Sequence, residues 1–233
     1  MTIKAILNAK DFLYVARFAS TEDPRYYLNG VQIEPQGDHV ALAATDGHAL
    51  GALKLGRDEA RGEGTPFILT SGRDFIRACK GKKSEEVFLI CREDRVDFVR
   101  PGFVPADIAD VAVLAPDLSI PAKSAYVDGT FPEWRKILPD GEPRPRTGTY
   151  PTGAGYCICI DPEFLAKCSS GPTSPGISFD WNGDGAVLVT NSNPRFIGVV
   201  CGINNGDTTA TVKARSEQFK LPSAGSTPAI EAA

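Results

Sequence analysis

The chain has 233 residues, of which 42% are hydrophobic and 23% charged, and this near-average globular composition excludes wholesale disorder. Its 25 Lys and Arg against 29 Asp and Glu give a net charge of −4, which excludes a uniformly basic protein but permits a local basic surface. No apolar run approaches the roughly 20 residues that span a bilayer, and the N-terminus lacks a signal-peptide core. We therefore expect a soluble, cytoplasmic, strand-rich protein without a membrane partner.

The first part of the chain predicts a strand, a helix and three further strands. An alternating strand over 2–7 precedes a helix over 9–20, in which Phe12, Ala16 and Ala19 recur at helical spacing. The further strands are predicted over 26–34, 40–44 and 50–55. The acidic, Gly-rich stretch 56–64 is predicted to be a loop without a packing role.

The same order recurs in the second part of the chain. Residues 67–70 form a predicted strand, and Ser71 is the expected N-cap of a helix that ends near Lys83. Further strands are predicted over 86–91, 95–100 and 124–128. The segment 103–121 is too irregular to assign, and a short helix is expected over 132–138.

The third part follows a stretch rich in Pro, Gly and Thr. A strand over 156–160 and a helix over 162–168 are predicted there. The strands after that helix are predicted over 177–181, 186–190 and 196–203, with a hairpin turn at 182–185. This repetition indicates stacked α+β modules, each a strand, a helix and three strands, rather than a closed enzyme barrel.

The order of elements predicts a division of the chain into modules. The predicted parts are two modules over 1–64 and 65–138, a linker over 139–155, half a domain over 156–203 and a mobile tail over 204–233. The tail is expected to be mobile because large apolar residues almost disappear after residue 203.

The six cysteines form no CxxC pair, and the chain has only two histidines, His39 and His48. Cys157 and Cys159 lie two residues apart in a predicted strand, but a zinc site would need further ligands. We therefore predict reduced thiols packed in the core and no metal site. No motif indicates a cofactor.

Positive charge is concentrated on the predicted helices. They carry a net charge of +5, which leaves −9 on the rest of the chain. Arg73, Arg77 and Lys80 recur at helical spacing and would form one stripe, which Lys82 and Lys83 extend. Such a stripe can follow a phosphate backbone without reading sequence, although a solvated helix face has the same composition.

Asp46 and His48 are candidates for an acid and base pair, because residues two apart on a strand share a face. However, the chain contains neither a GxSxG nucleophile motif nor a Gly-rich loop that opens a helix. We therefore predict no catalytic residue and no enzyme. A hydrolase that uses Asp46 and His48 is the least favoured hypothesis.

Three segments resemble the bacterial DNA polymerase III beta sliding clamp family. They are RYYLNG at 25–30, ATDGHAL at 44–50 and FPEWRKILP at 131–139. Residues 1–138 resemble the family's second domain and residues 156–203 the closing half of its third, which amounts to about one and a half clamp domains. The resemblance implies the α+β DNA-clamp fold and a non-catalytic processivity factor that encircles duplex DNA and tethers a polymerase.

The resemblance also implies two sets of contact residues. The residues expected to face DNA, without sequence preference, are Lys10, Arg17, Arg73, Arg77 and Lys80, with Tyr26 and Tyr27 as weaker candidates for base stacking. A hydrophobic pocket would bind short peptides of DNA polymerase or other partners. Its matching positions are Arg25, Leu28, Thr45, Gly47, His48, Leu50, Pro132, Lys136, Ile137, Val199, Val200 and Cys201.

Departures from the family pattern leave the partners and the assembly open. Ala49 replaces an Arg that the family favours, Lys136 replaces another, and Cys201-Gly202 stand where the family has Met-Pro. One alternative is a clamp-derived interaction module that binds clamp-motif peptides without encircling DNA. As a homo-oligomer, four chains of three modules would close a six-domain ring, or two chains could complete each other's half domain.

Overall fold

A computed structural model describes residues 2–81, 85–102, 105–138, 160–169, 176–181 and 186–201. Several sequence-based predictions lie outside these residues: Lys82 and Lys83, the linker 139–155, most of the strand at 156–160, the turn at 182–185 and the tail 204–233. In the described part of the chain, no helix is long and apolar enough to cross a membrane.

The described residues form antiparallel strands with short helices between them. The strands are β1 Ile3–Asn8, β2 Gly30–Gln36, β3 His39–Thr45, β4 Ala49–Gly56, β5 Ala60–Gly62, β6 Phe67–Thr70, β7 Phe88–Arg92, β8 Arg95–Val99, β9 Leu118–Pro121, β10 Tyr126–Val127, β11 Ile177–Trp181, β12 Ala186–Asn191 and β13 Phe196–Cys201. The α-helices are α1 Ala9–Ala16, α2 Arg73–Cys79, α3 Ala122–Ala125 and α4 Pro162–Cys168. The 3-10 helices are Asp23–Leu28, Ile108–Val113 and Trp134–Ile137.

The strands are arranged in two sheets. One has the order β5-β1-β7-β8-β9, and the other has the order β10-β6-β2-β3-β4-β13-β12-β11. We call residues 3–62 module A, residues 67–127 module B and residues 160–201 module C. Modules A and B exchange their first strands, because β1 pairs with β7 of module B while β6 pairs with β2 of module A. This exchange interlocks the two modules.

The main core lies where α1 and α2 pack against the inner faces of both sheets. Phe12 of α1 contacts Phe75 of α2 with ring centroids 5.3 Å apart, and Phe75 contacts Phe98 of β8 at 5.2 Å. These three rings are almost fully buried. Because the helices bury this face, their charged residues remain on the opposite, solvent-facing side.

Module C joins the rest of the molecule along a seam between β4 and β13. Five residue pairs form this antiparallel ladder, from Phe196 opposite Leu53 to Val200 opposite Ala49. Next to it, the Tyr14 hydroxyl of α1 donates to the carbonyl of Cys168 at the end of α4. The seam makes one continuous eight-stranded sheet from modules A, B and C.

Several predicted boundaries are wrong for identifiable reasons. The helix predicted over 9–20 ends at Ala16, because the next amides bond three residues back in tighter turns. The strand predicted from residue 26 begins only at Gly30, since Pro24 opens a 3-10 helix there. The stretch predicted as a loop contains β5, whose buried Ala60 pairs with Leu7.

The second predicted helix is also shorter than expected. Ser71 does not cap α2, because its hydroxyl donates to the carbonyl of Asn29 instead, at 2.9 Å. The helix begins at Arg73, and Lys80 lies just beyond its end in an extended conformation. Near residue 124, the predicted strand is a single helical turn, α3, followed by the short β10.

Candidate nucleic-acid and peptide interfaces

The cationic residues predicted on the helices all have exposed side chains in the structure. The set consists of Lys10, Arg17, Arg73, Arg77 and Lys80. The contact of Phe12 with Phe75 places α1 and α2 side by side, so their cations belong to one helical layer. We call these five residues the basic face.

The members of the basic face differ in their local partners. Lys10 pairs with Glu86 at 3.3 Å, and Arg17 donates to the carbonyl of Ser169 at 3.0 Å while its guanidinium lies over the Tyr14 ring. Within the described residues, no ion pair occupies the other three cations. Their charge is therefore available to an external anion.

A groove of about 680 Å³ lies beside α2. Its lining includes Ser20, Thr21, Asn29, Thr70, Ser71, Gly72, Arg73, Ile76, Arg77 and Lys80. Cations and hydroxyl groups together are the typical contacts of a nucleic-acid sugar-phosphate backbone. The hydroxyl and amide residues of this groove are not among the residues predicted from sequence, because their proximity to α2 depends on the β2–β6 pairing.

Tyr26 and Tyr27 lie on the 3-10 helix between Thr21 and Asn29, which both line the groove. Tyr26 is 55% exposed, whereas Tyr27 is partly buried against the apolar residues on the outer face of the sheet. Their rings meet edge to face with centroids 6.0 Å apart. The structure therefore leaves Tyr26 accessible for stacking and uses much of the Tyr27 ring in packing.

A second apolar cluster covers the outer face of the eight-stranded sheet at the seam, and we call it the outer cluster. It contains Leu28, Ala41, Ala43, Leu50, Ala52, Ile68, Phe131, Trp134 and Val199. Leu50 lies directly opposite Val199 across the seam. The cluster thus brings together parts of all three sequence segments that resemble the clamp family, although Phe131 and Trp134 were not predicted as pocket residues.

The remaining predicted pocket residues take other positions. Val200 faces the inner core, since neighbouring residues on β13 point to opposite faces, and Cys201 is exposed at the strand end. On the 3-10 segment that covers the sheet, Pro132, Lys136 and Ile137 are exposed. The structure therefore places Val200 on the opposite face of the sheet from the outer cluster. The exposed residues Cys201, Pro132, Lys136 and Ile137 are not part of that cluster.

The turn after β3 is held by its own side chains. The Thr45 hydroxyl donates to the Ala49 carbonyl at 2.8 Å and accepts from the Gly47 amide at 3.0 Å. Gly47 has a φ of 91°, and a Cβ there would lie 2.5 Å from a guanidinium nitrogen of Arg25. Only glycine therefore fits this position without moving Arg25, which pairs with Glu22.

Asp46 and His48 connect this turn to module C rather than to each other. One oxygen of Asp46 accepts the amides of His48 and Ala49, both at 2.8 Å, and the other accepts Lys167 of α4 at 2.7 Å. Burial raises the pKa of Asp46, but the hydrogen bonds from Lys167 and the two amides outweigh it and lower the pKa overall. The His48 ring stacks on Phe164 of α4, with centroids 6.2 Å apart.

The described cysteines lie mainly in the core. Cys79, Cys91 and Cys168 are buried and Cys201 is exposed, all with free thiols. Burial raises the pKa of Cys79 to about 12 and that of Cys168 to about 11. In the part of the chain that the structure describes, no three His, Cys, Asp or Glu side chains come together as metal ligands would.

Residues 9–97 match the family model of the DNA polymerase III beta subunit, central domain. The resemblance to the beta sliding clamp is confirmed. The match contains two of the three motifs and the helices α1 and α2. A search of curated protein sequences finds no match.

Solved sliding clamps share the fold of the chain. DNA polymerase III subunit beta of Borrelia burgdorferi has a TM-score of 0.61 and 14% identity, covering 86% of this chain and 64% of its own. The beta chain of Streptococcus pneumoniae has the same TM-score and identity, covering 88% and 66%. The sliding clamp of Pseudomonas aeruginosa has a TM-score of 0.52 and 15% identity, covering 88% and 67%.

The chain thus has the α+β sliding-clamp fold and spans about two thirds of the length of these clamps. Sequence identities this low establish the fold alone. The two interfaces described above therefore have to be argued from the residues of this chain.

Proposed function

We propose that this protein is a non-catalytic, cytoplasmic clamp-like protein of the DNA polymerase processivity-factor type. It binds duplex DNA without sequence preference through the basic face and acts in DNA replication as a homo-oligomer. The observation that carries the proposal is the concentration of exposed cations on α1 and α2 and immediately after their last residues, in a chain whose net charge is −4. A local positive layer on an acidic protein attracts phosphate while the rest of its surface repels it.

The proposal includes a peptide site at the outer cluster. Residues Leu28, Leu50 and Val199 supply its apolar floor, and Arg25, Thr45, Gly47 and His48 form the adjoining turn. Lys136 and Ile137 lie on the neighbouring 3-10 helix, and Pro132 lies just before it. Val200 faces the core on the other side of β13, and Cys201 is the last residue of that strand. Its partners are DNA polymerase or other proteins with clamp-binding peptides, which insert apolar anchors.

The division of the chain follows from the same proposal. Residues 1–138 form a clamp domain of two modules, 139–155 a linker, 156–203 half a clamp domain and 204–233 a tail. Under this proposal, Asp46 and His48 have structural rather than catalytic roles. Their side chains are engaged by Lys167 and Phe164, which leaves a hydrolase without support.

The basic face can be tested with the triple variant Arg73→Gln, Arg77→Gln and Lys80→Gln. We expect weaker binding to a fluorescent DNA duplex of mixed sequence, measured by polarisation over a salt series. The slope of log affinity against log salt should become shallower by about 2.7, because each lost phosphate contact contributes about 0.9.

A charge-matched control is Lys54→Gln, Arg57→Gln and Lys123→Gln, which removes exposed cations outside the basic face. This control should keep the wild-type slope, and both variants should bind a fluorescent clamp-motif peptide as the wild type does. Equal slopes for the two triple variants would contradict the DNA interface. Peptide binding without measurable duplex binding by the wild type would favour the interaction module instead.

A further inference from the structure

In each of the interlocked modules A and B, the edge of the second strand pairs with the first strand of the other module. In module A, β2 is covered by β6, with Val31 opposite Leu69, and in module B, β7 is covered by β1, with Leu89 opposite Leu7. Module C repeats the order of a helix and a three-stranded meander, so β11 corresponds to β2 and β7. Among the described residues, only β12 pairs with β11, and no described strand lies along its other edge.

The side chains of β11 also lack their expected cover. Ile177 packs against the main core, and Phe179, two residues on, shares its face and lies opposite the fully buried Val189. Nevertheless Phe179 is 51% exposed. The inward residues of the corresponding strands, among them Val31, Ile33 and Leu89, are completely buried. In the part of the chain that the structure describes, no second half covers the apolar face of module C as modules A and B cover each other.

The helices α1, α2 and α4 share a sequence feature near their N-termini. Each begins with a short run that ends in an acidic residue and phenylalanine: Asp11-Phe12 in α1, Asp74-Phe75 in α2 and Glu163-Phe164 in α4. Phe12 and Phe75 bury each other, whereas Phe164 is only partly buried and stacks on the imidazole of His48. The companion helix that pairs α1 with α2 thus has no counterpart beside α4 in the described residues.

The chain itself has too little length at this point to supply a companion module. Residues 139–159 separate Leu138 from Ile160, whereas modules A and B occupy residues 3–62 and 67–127. An open edge strand with an apolar face is a template for another strand. The edge also continues a sheet that already extends across the β4–β13 seam, so addition of a strand here prolongs an existing ladder.

We propose that module C of a second copy covers β11, so that two chains complete one clamp domain across a twofold axis. The edge of β11 in one chain can lie against the edge of β11 in the other with exact twofold symmetry, because antiparallel pairing of a strand with its own copy is symmetric. The dimer buries Phe179 and the open edge of β11 in both chains. This inference rests on the repeat within the fold and does not depend on DNA or peptide binding.

The interface can be tested with Phe179→Lys, by light scattering of the full chain over a wide range of protein concentration. We expect the wild type to have twice the mass of the 24.9 kDa chain and the variant to have the mass of one chain. A lysine at this position places an unpaired charge in the apolar contact. Circular dichroism should show the same secondary structure in both proteins.

Two controls carry the same substitution at other exposed apolar positions. Val113 is 86% exposed on the 3-10 helix that ends there, and Leu118 is 43% exposed on β9, the edge of the other sheet. Val113→Lys and Leu118→Lys should remain dimeric. A monomeric wild type at every concentration, or dissociation by Leu118→Lys and not by Phe179→Lys, would overturn the proposal.

Hydrogen exchange provides a second measurement that needs no variant. Amides of β11 should exchange more slowly as the wild-type protein is concentrated, because the second copy satisfies their outward groups. Amides of β9 should show no such dependence. Exchange of β11 that is independent of concentration while the mass doubles would place the dimer contact elsewhere and reject the β11 interface.

Discussion

Asp97 is a buried carboxylate with an exposed fraction of only 1%, and it joins three neighbouring strands. It accepts from Arg92 of β7 at 2.7 Å, from Arg95 of its own strand at 2.8 Å and from the Ser119 hydroxyl of β9 at 2.6 Å. Burial raises its pKa, but the hydrogen bonds from Ser119, Arg92 and Arg95 outweigh that effect and lower the pKa overall. The carboxylate is therefore stabilised in its charged form by folding.

We expect Asp97→Asn to lower the free energy of unfolding by about 3 kcal/mol near neutral pH, because it removes the carboxylate that pairs with Arg92 and one of the two carboxylates that pair with Arg95. Since the folded-state pKa is depressed, this stabilisation is complete above the ordinary Asp pKa of about 3.9 and disappears as the pH falls through the folded value. Urea unfolding at several pH values measures both effects.

Asp94→Asn is a suitable control, because Asp94 is partly exposed and its carboxylate bonds only to Arg95 among the contacts described for it. Its effect should stay below about 1 kcal/mol. A similar loss of stability in both variants, or a loss for Asp97→Asn that persists unchanged in acid, would contradict the proposed role of Asp97.

Among the elements, α4 is attached to the turn after β3 by an ion pair, beside the stacking of His48 on Phe164. Lys167 reaches Asp46 at 2.7 Å, and both side chains are largely shielded from solvent. On the same helix, Cys168 is fully buried and its carbonyl accepts from Tyr14 and Asn191. The accessibility of the Cys168 thiol to a reagent therefore measures how often α4 detaches from the sheet.

We expect Lys167→Met to increase the rate at which N-ethylmaleimide modifies Cys168 by about tenfold, since a charged hydrogen bond contributes about 1.5 kcal/mol. Loss of the ammonium also removes a group that lowers the pKa of the Cys168 thiol, so the chemical effect alone would slow the reaction. Peptide mass spectrometry measures the rate at each cysteine.

Cys91, buried between strands of modules A and B, is the internal reference and should react at its wild-type rate. Lys10→Met is the matched variant, because it removes a lysine whose ion pair with Glu86 is exposed. If Cys168 is modified at the same rate in both variants, the ion pair does not hold α4 against the sheet.

The elements also show how far local sequence patterns extend. The predicted bounds are correct for the strands at 67–70 and 177–181 and for the helix at 162–168, because a short apolar run, alternation and capping by Asp161 are local signals. The strand β5 was missed, since Ala60 is paired by a strand more than fifty positions away in the chain. Helix ends were overestimated where tight turns, set by packing, replaced the last α-helical turns.

The candidate sites also contain some residues that local sequence explains and others that depend on long-range pairing. Gly47 has a local cause, its positive φ, whereas Gly30 is required by the long-range β2–β6 pairing, because a Cβ there would collide with the Leu69 carbonyl oxygen. Of the predicted stripe, Arg73 and Arg77 lie one turn apart on α2 as helical spacing predicts, whereas Lys80 lies beyond the end of the helix. Phe164 and Lys167 were not predicted as partners of His48 and Asp46, because the seam that brings them together is a long-range pairing.

For the whole molecule, the proposed dimer would present two basic faces to one duplex. We expect the slope of log DNA affinity against log salt to be about twice as large for the dimeric wild type as for monomeric Phe179→Lys, because twice as many phosphates are contacted. Polarisation titrations at protein concentrations where light scattering shows the dimer measure this ratio.

Val113→Lys adds the same charge without disturbing β11, and it separates the effect of assembly from that of net charge. It should keep the wild-type slope. Equal slopes for dimeric wild type and monomeric Phe179→Lys would mean that only one basic face contacts DNA at a time.

The seam between β4 and β13 has a thermodynamic consequence for any ligand that touches both sides of it. Its five-residue ladder, together with the Tyr14 hydrogen bond to the end of α4, fixes the orientation of module C within a single chain. The position of module C relative to β4 and α1 is therefore set before a ligand arrives. Binding across the seam then orders side chains only, so its entropic cost stays small and its rate is governed by encounter rather than by rearrangement.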